Sequence, residues 1–356
     1  MARTIAFYLP QYYPTPENDL WWGEGFTEWV NVGKARPLFP GHYQPRVPAH
    51  LGYYDLRLPE VRERQAQLAR EAGIEGFCYW HYWFAGKRML NRVFDEVVNN
   101  GSPDFPFCLC WANHSWEAKT WDPAKPNRLL IEQTYPGKKD YINHFYTLLP
   151  AFKDKRYITV NGKLLFGIFG PIWMPNMGEM AETWNDLAKK NGLDGFCFFG
   201  FAQGQGAITT ALNPSYDMVV YDAMLDAVFQ RNEKFLSHIK AKICSMINRP
   251  FPVPYDYYTE VACKQFLRFP QTVPCIDPNF DHSPRSGVKA TIFHDSTPEK
   301  WGRFCREIVD LVNERDPEGL LFIKAWNEWG EGNYLEPDQR FGKSYLVETA
   351  KALKCL

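Results

Sequence analysis

Short, almost wholly apolar runs recur along the chain, and longer amphipathic stretches separate most of them. The first run holds Ile5, Ala6, Phe7, Tyr8 and Leu9. Runs without polar alternation predict strands covered on both faces. By the same pattern residues 76–80, running out into 81–84, predict a second strand, and 105–111 a third. An Asn161-Gly162 turn between apolar runs predicts a short hairpin feeding a strand over 157–169. Further strands are predicted at 195–201, 216–221, 272–276 and 320–325. Helical periodicity covers 59–72, with Pro59 in its first turn and Gly73 as its stop, then 89–100, 140–152, 177–190, 231–247 and 298–314. Residues 249–260 carry three prolines and a tyrosine cluster, and predict an irregular segment. Residues 10–58 read as one long loop, whose Trp21, Trp22 and Trp29 argue against disorder.

About eight strands alternating with helices predict a parallel sheet. Polar and aromatic residues gather directly after strand after strand, where a (β/α)8 TIM barrel builds its site. A single such barrel over residues 1–356 is the expectation, with long loops at its catalytic end. A doubly wound sheet would carry a glycine-rich phosphate turn after its first strand. Pro10, Gln11 and Tyr12 stand there instead.

A net charge of −1 carries no footprint for nucleic acid or an anionic membrane. No apolar run has membrane-spanning length, and no signal peptide is visible, so a cytoplasmic protein is expected. The nine cysteines are an odd number, and Cys78, Cys108, Cys110, Cys197 and Cys275 fall inside apolar runs, as free thiols do in a reducing compartment. The eight histidines are scattered without metal-ligand spacing, so neither a metal nor a cofactor is expected. Thirteen Trp and nineteen Tyr fit a carbohydrate-facing cleft, and a large core is the alternative use of so many aromatics.

The densest chemistry follows the last apolar run. Trp326, Asn327, Glu328, Trp329, Gly330, Glu331, Gly332 and Tyr334 combine two carboxylates, three aromatics and two turn-permitting glycines. Glu328 and Glu331, three residues apart on a turn, can face one volume, the usual apparatus of glycosidic acid/base chemistry. Trp326, Trp329 and Tyr334 supply flat apolar faces of the kind that cover a pyranose. Strand ends add Tyr8, Gln11, Trp80, His81, Tyr82, Trp111, Asn113, His114 and Asp281 as candidate sugar contacts, and the first loop adds Glu28. For Trp80 and Trp111 barrel-core packing is the alternative, for His81 and His114 a structural hydrogen bond, and for Glu28 a loop-anchoring salt bridge. Tyr257 and Arg285 are secondary candidates.

Several stretches together resemble the WbsX-type polysaccharide-biosynthesis family, a relative of the endo-α-mannosidases of glycoside hydrolase family 99. They are residues 7–12, 25–29, 76–84, 110–113 and 326–329, in order along nearly the whole chain. The resemblance implies a (β/α)8 barrel. It also implies a catalytic pair in an Asn-Glu-Trp-x-Glu-Gly motif, here Asn327 to Gly332. On that pattern Glu328 is the base for a sugar 2-hydroxyl, and Glu331 is the general acid and then the general base. The chain departs from the hydrolases at Gly330, where they carry a histidine.

Three function classes follow. One is a retaining glycosidase acting on α-mannose-like bonds through a 1,2-anhydro sugar. The second is a glycosyltransferase of surface-polysaccharide synthesis, and the third an inactive glycan-binding barrel. The expected partner is an oligosaccharide or polysaccharide, with no nucleic acid and no membrane insertion.

Overall fold

Strand residues Gly76–Phe84 are buried along their whole length, which requires a packed layer on both sides. A computed structural model, describing residues 2–118, 127–233 and 235–354, supplies both. Eight parallel strands close on themselves: β1 (Arg3–Tyr8), β2 (Gly76–Phe84), β3 (Phe107–Trp111), β4 (Lys163–Ile168), β5 (Phe196–Gln203), β6 (Met218–Asp222), β7 (Val273–Ile276) and β8 (Leu320–Ile323). β8 returns to β1 with Phe322 opposite Ile5, and β1 pairs β2 with Ala6 opposite Phe77. Helices connect the strands, so the fold is a (β/α)8 barrel.

Period-two alternation decides which side chain faces where. Along β2, Trp80 points inward, stacked on Phe7 at 4.5 Å and edge-on to Phe201. Its neighbours point outward: Tyr79 meets Phe94 of helix Arg92–Asn100, and His81 meets His144 of helix Lys138–Phe152. Gly167 makes room in the interior, since a Cβ there would lie 2.2 Å from the Phe199 ring and 2.8 Å from the Cys110 sulfur. The eight described cysteines are all free, and those in the strands are buried packing atoms.

Two helical readings change. The segment expected to be irregular holds helix Tyr255–Arg268, which forms the layer between β6 and β7. Its buried Tyr255, Tyr258, Val261, Ala262 and Phe266 keep helical spacing, and the prolines only delimit its start. The stretch read as one helix over 231–247 is a pair, Met224–Glu233 and Phe235–Met246. The first loop contains two short helices, Pro16–Trp22 and Glu28–Lys34, capped by the side chains of Thr15 and Thr27.

Candidate active site

The chain leaves β8 into a hairpin in which Asn327–Glu328 pairs antiparallel with Asn333–Tyr334. A tight turn, Trp329–Glu331, joins the two, and Gly332 closes it at φ +56°, a conformation that favours glycine. The hairpin sets both glutamates on one side, and its own polar groups hold it down. The Asn327 carboxamide accepts from the Leu9 backbone N–H at 2.7 Å and donates to the Leu9 carbonyl at 3.1 Å. The Tyr12 hydroxyl donates to the Asn327 carbonyl and accepts from the Trp329 N–H. Behind the turn, the Glu336 carboxylate accepts from Trp326 and Trp329 indole N–H groups at 3.0 and 2.6 Å, from Gln65 at 2.6 Å and from the Tyr54 hydroxyl at 2.8 Å.

Arg285, on the short turn Ser283–Ser286 after β7, binds three carboxylates with one guanidinium. Its Nη1 donates to Glu331 at 2.6 Å, its Nη2 lies 2.9 Å from Glu328 and 3.0 Å from Glu28, and its Nε donates to Glu28 at 3.1 Å. A planar fork is suited to such bridging. Three negative charges around one positive charge cannot all be held cheaply out of water. Burial, then the adjacent Glu331 charge, pushes Glu328 up to about 8. Burial also acts upward on Glu331, but Arg285, His282 and the more distant Lys324 outweigh it and hold Glu331 below its ordinary value. Glu328 is therefore the more basic carboxylate of the pair and Glu331 the more acidic.

Gly330 is what lets Arg285 and Glu28 reach the pair. A Cβ at this position would lie 2.3 Å from Glu28 Oε2 and 3.1 Å from Arg285 Nε and Nη2. Gly330→Ala is expected to leave the fold intact, because the colliding carboxylate is a movable side-chain end. It is expected to lower turnover by about 10²-fold by displacing the clamp, as a 1 Å shift at a reacting centre does. Parallel melting curves and steady-state kinetics would check this, and unchanged kinetics would remove Arg285 and Glu28 from the working site.

Beneath the hairpin lies a buried charge cluster at three strand ends. Lys324 sits 3.3 Å from Asp222 and 3.4 Å from Asp277. Asp277 also accepts from Tyr258 and Asn333, and burial beside Asp222 pushes it up to about 7.

A model of the family described as "Glycosyltransferase WbsX" matches residues 4–349. The chain belongs to the WbsX glycosyltransferase family. It is 35% identical over 359 residues to an uncharacterized protein, WxcX, from two strains of Xanthomonas campestris pv. campestris. That match takes in 99% of this chain and 50% of WxcX, so the chain spans about half the length of the curated relatives it matches. Among solved structures it is similar to a glycoside hydrolase-like protein (TM-score 0.63, 13% identity, covering 99% of this chain and 93% of the other). A Bacteroides thetaiotaomicron family 99 endo-α-mannosidase superposes with a TM-score of 0.59 at 14% identity, covering 99% and 96% of the two chains. At such identities the likeness is one of fold.

In this WbsX chain the candidate residues fall into three groups. Glu28, Glu328 and Glu331 meet at Arg285, and the buried Tyr82, edge-on to Trp116 at 5.0 Å, is within reach of their field: burial raises its phenol, and so does the charge of Glu328. Trp80 and His114 lie along a second wall, through Phe169 to Trp173, with ring separations of 5.3, 5.5 and 5.6 Å. Gln11 is half-buried at the end of β1.

The third group sits behind the site or outside the barrel. Trp326 and Trp329 are fully buried, Trp329 stacked on Tyr334 at 3.7 Å, so these rings are hairpin core and offer no face to a sugar. Asn327 spends both side-chain atoms on Leu9. Asp281 accepts from His42, Gln44 and the Ser283 N–H at 2.8, 2.7 and 3.0 Å; burial would raise it, but these partners and Arg46 hold it at about 2. It ties the first loop to the hairpin. Tyr8 and His81 point into the helical layer, against Gln65 and His144. Trp111 donates to the Trp83 carbonyl, and Asn113 binds both backbone groups of Gly170.

Arg285 was legible only as a secondary candidate, because nothing local links it to glutamates 43 and 46 positions away and a third 257 positions away. Trp173 could have been found by the same strand-end reasoning that picked out His114, since it follows β4 within a few residues and is half exposed.

Proposed function

We propose that this WbsX chain is a retaining carbohydrate-active enzyme acting on α-mannose-like glycosides through a 1,2-anhydro sugar. The observation that carries the reading is the pair Glu328 and Glu331, bridged by Arg285 at 2.9 and 2.6 Å; the opposite shifts of the two carboxyls support a pair that carries one proton. In the first step Glu331 gives a proton to the leaving oxygen, Glu328 takes the proton of the sugar 2-hydroxyl, and O2 closes on C1 as the glycosidic bond breaks. In the second, water or an acceptor hydroxyl gives its proton to Glu331 and opens the ring at C1, while O2 regains a proton from Glu328.

Without ligand the proton rests on Glu328, so binding must move it. A 2-hydroxyl donating to Glu328 favours the ionised form there. A leaving oxygen in place of Arg285 Nη1 removes the contact that keeps Glu331 ionised. Both effects drive the proton the same way. O2 must lie trans to the leaving group, which is the α-manno arrangement.

The family description as a glycosyltransferase favours a second reading on the same residues, in which a sugar hydroxyl replaces water. Incubation with a panel of α-manno-configured oligosaccharides, with and without acceptor glycans, tests both. Released reducing sugar of retained configuration supports hydrolysis. Elongation only when an acceptor is present supports transfer. Binding without either product overturns the enzymatic reading.

The pH dependence of kcat/KM follows from the singly protonated pair. As pH rises through about 8, Glu328 loses the shared proton and the rate is expected to fall. As pH falls below the ordinary glutamate range, Glu331 gains a second proton and the rate falls again. A profile flat to pH 10 would exclude a shared proton.

A further inference from the structure

We propose that the helix Phe235–Met246 is a docking surface for an anionic lipid bilayer. It lies on an excursion between β6 and the layer helix Tyr255–Arg268. None of its described side chains is buried, so it adds little to the barrel core. Its apolar residues face outward: Met246 is 85% exposed and Leu236 70%, with Ile239, Ile243 and Ile247 also exposed. At about 100° per residue, Leu236, Ile243 and Ile247 share one line, and Ile239 and Met246 the next. The half-exposed Ser237, Ala241 and Cys244 occupy the opposite, protein-facing side.

Charge decides the occupant. Lys240 borders the apolar stripe on one side and Lys242 on the other, both exposed, and Arg249 follows. No Asp or Glu occurs between Glu233 and Asp256. A narrow apolar face flanked by lysines, with no acidic residue, is the composition that seats at a headgroup boundary, the lysine stems lying along the apolar surface and the ammonium groups reaching anionic lipid. A net charge near zero for the whole chain conceals this local excess.

Both ends of the excursion are fixed at the carboxyl end of the barrel. The Met224 N–H donates to Asp222 at the end of β6, at 2.8 Å. The return strand Val253–Pro254 pairs with Phe293–His294, beyond β7. Arg231 braces it, its guanidinium 3.6 Å from the Phe251 ring centre. Docking through this helix would hold the end of the barrel that carries Glu328 and Glu331 near the lipid surface, where a glycan displayed there is within reach.

Flotation of the full chain with vesicles of phosphatidylcholine alone, and with vesicles that also contain anionic phosphatidylglycerol, tests this. Binding is expected only to the anionic vesicles and is expected to weaken in high salt. Lys240→Gln with Lys242→Gln should weaken it by about fivefold per lysine, and Leu236→Gln with Ile243→Gln by more than about tenfold. Val347→Gln, an exposed apolar residue on another helix, should change nothing. No flotation of the wild type, or equal flotation of all variants, overturns the proposal. So does a concentration-dependent dimer that Leu236→Gln with Ile243→Gln dissolves, because the occupant is then a second copy. Turnover of a soluble oligosaccharide should be unchanged in these variants, so a failure here and a failure of the catalytic reading are separately visible.

Discussion

Glu331→Gln is expected to cut turnover of an unactivated α-manno glycoside by roughly 10³-fold, within the range of a lost general acid. It should largely spare ring closure from an aryl glycoside whose leaving group needs no proton. Glu328→Gln should lower both substrates alike, because O2 must be deprotonated whatever departs. The reasoning is geometric: both carboxylates touch one guanidinium, and each has its own nitrogen. Replacing one by an amide keeps shape and volume and removes a proton-transfer group. Pre-steady-state measurement with the two substrates separates the roles. If Glu328→Gln is the variant rescued by the good leaving group, Glu328 is the acid and the assignment reverses. If neither variant loses activity, the chemistry lies elsewhere.

The second large effect is on stability. Glu336→Ala is expected to destabilise the fold by about 3–6 kcal/mol, because two indole N–H groups and the Gln65 amide lose their buried acceptor at once. A typical domain has only about 5–15 kcal/mol in hand. Glu336→Gln should cost less, since one acceptor oxygen remains, although its NH2 group turns two N–H donors toward the existing ones. Urea titrations of the three proteins would check the ranking. Equal midpoints would mean that the network rearranges or takes up water.

Much of the barrel was legible because its strands are continuous apolar runs buried on both sides. Helix Tyr255–Arg268 was not, because its aromatic first turn follows Pro250, Pro252 and Pro254 and looks locally like a loop. The glutamate pair stood out for a local reason, two carboxylates on a glycine turn. Its guanidinium partner did not, because barrel closure alone brings Arg285 to Glu28. Composition also misassigned the indoles. Trp326 and Trp329 carry the same sequence signal whether they face a sugar or donate to Glu336, and only the buried carboxylate behind them distinguishes the two. His81 and Tyr82 are adjacent in sequence, yet one-residue alternation along β2 sends the first to the helical layer and the second to the opposite face, within the field of the carboxylates.

The seam between β1 and β8 joins residue 5 to residue 322. Directly above it, the first loop and the last hairpin share the Asn327, Tyr12 and Asp281 ties. Glu28 therefore meets Glu328 and Glu331 at Arg285 only after the ribosome has delivered the hairpin. Nascent fragments that end before it lack both Glu328 and Glu331 and, on the proposed function, are expected to be inactive. Recovery of activity on refolding will thus report the slowest long-range zippering of the chain, later than recovery of helical signal.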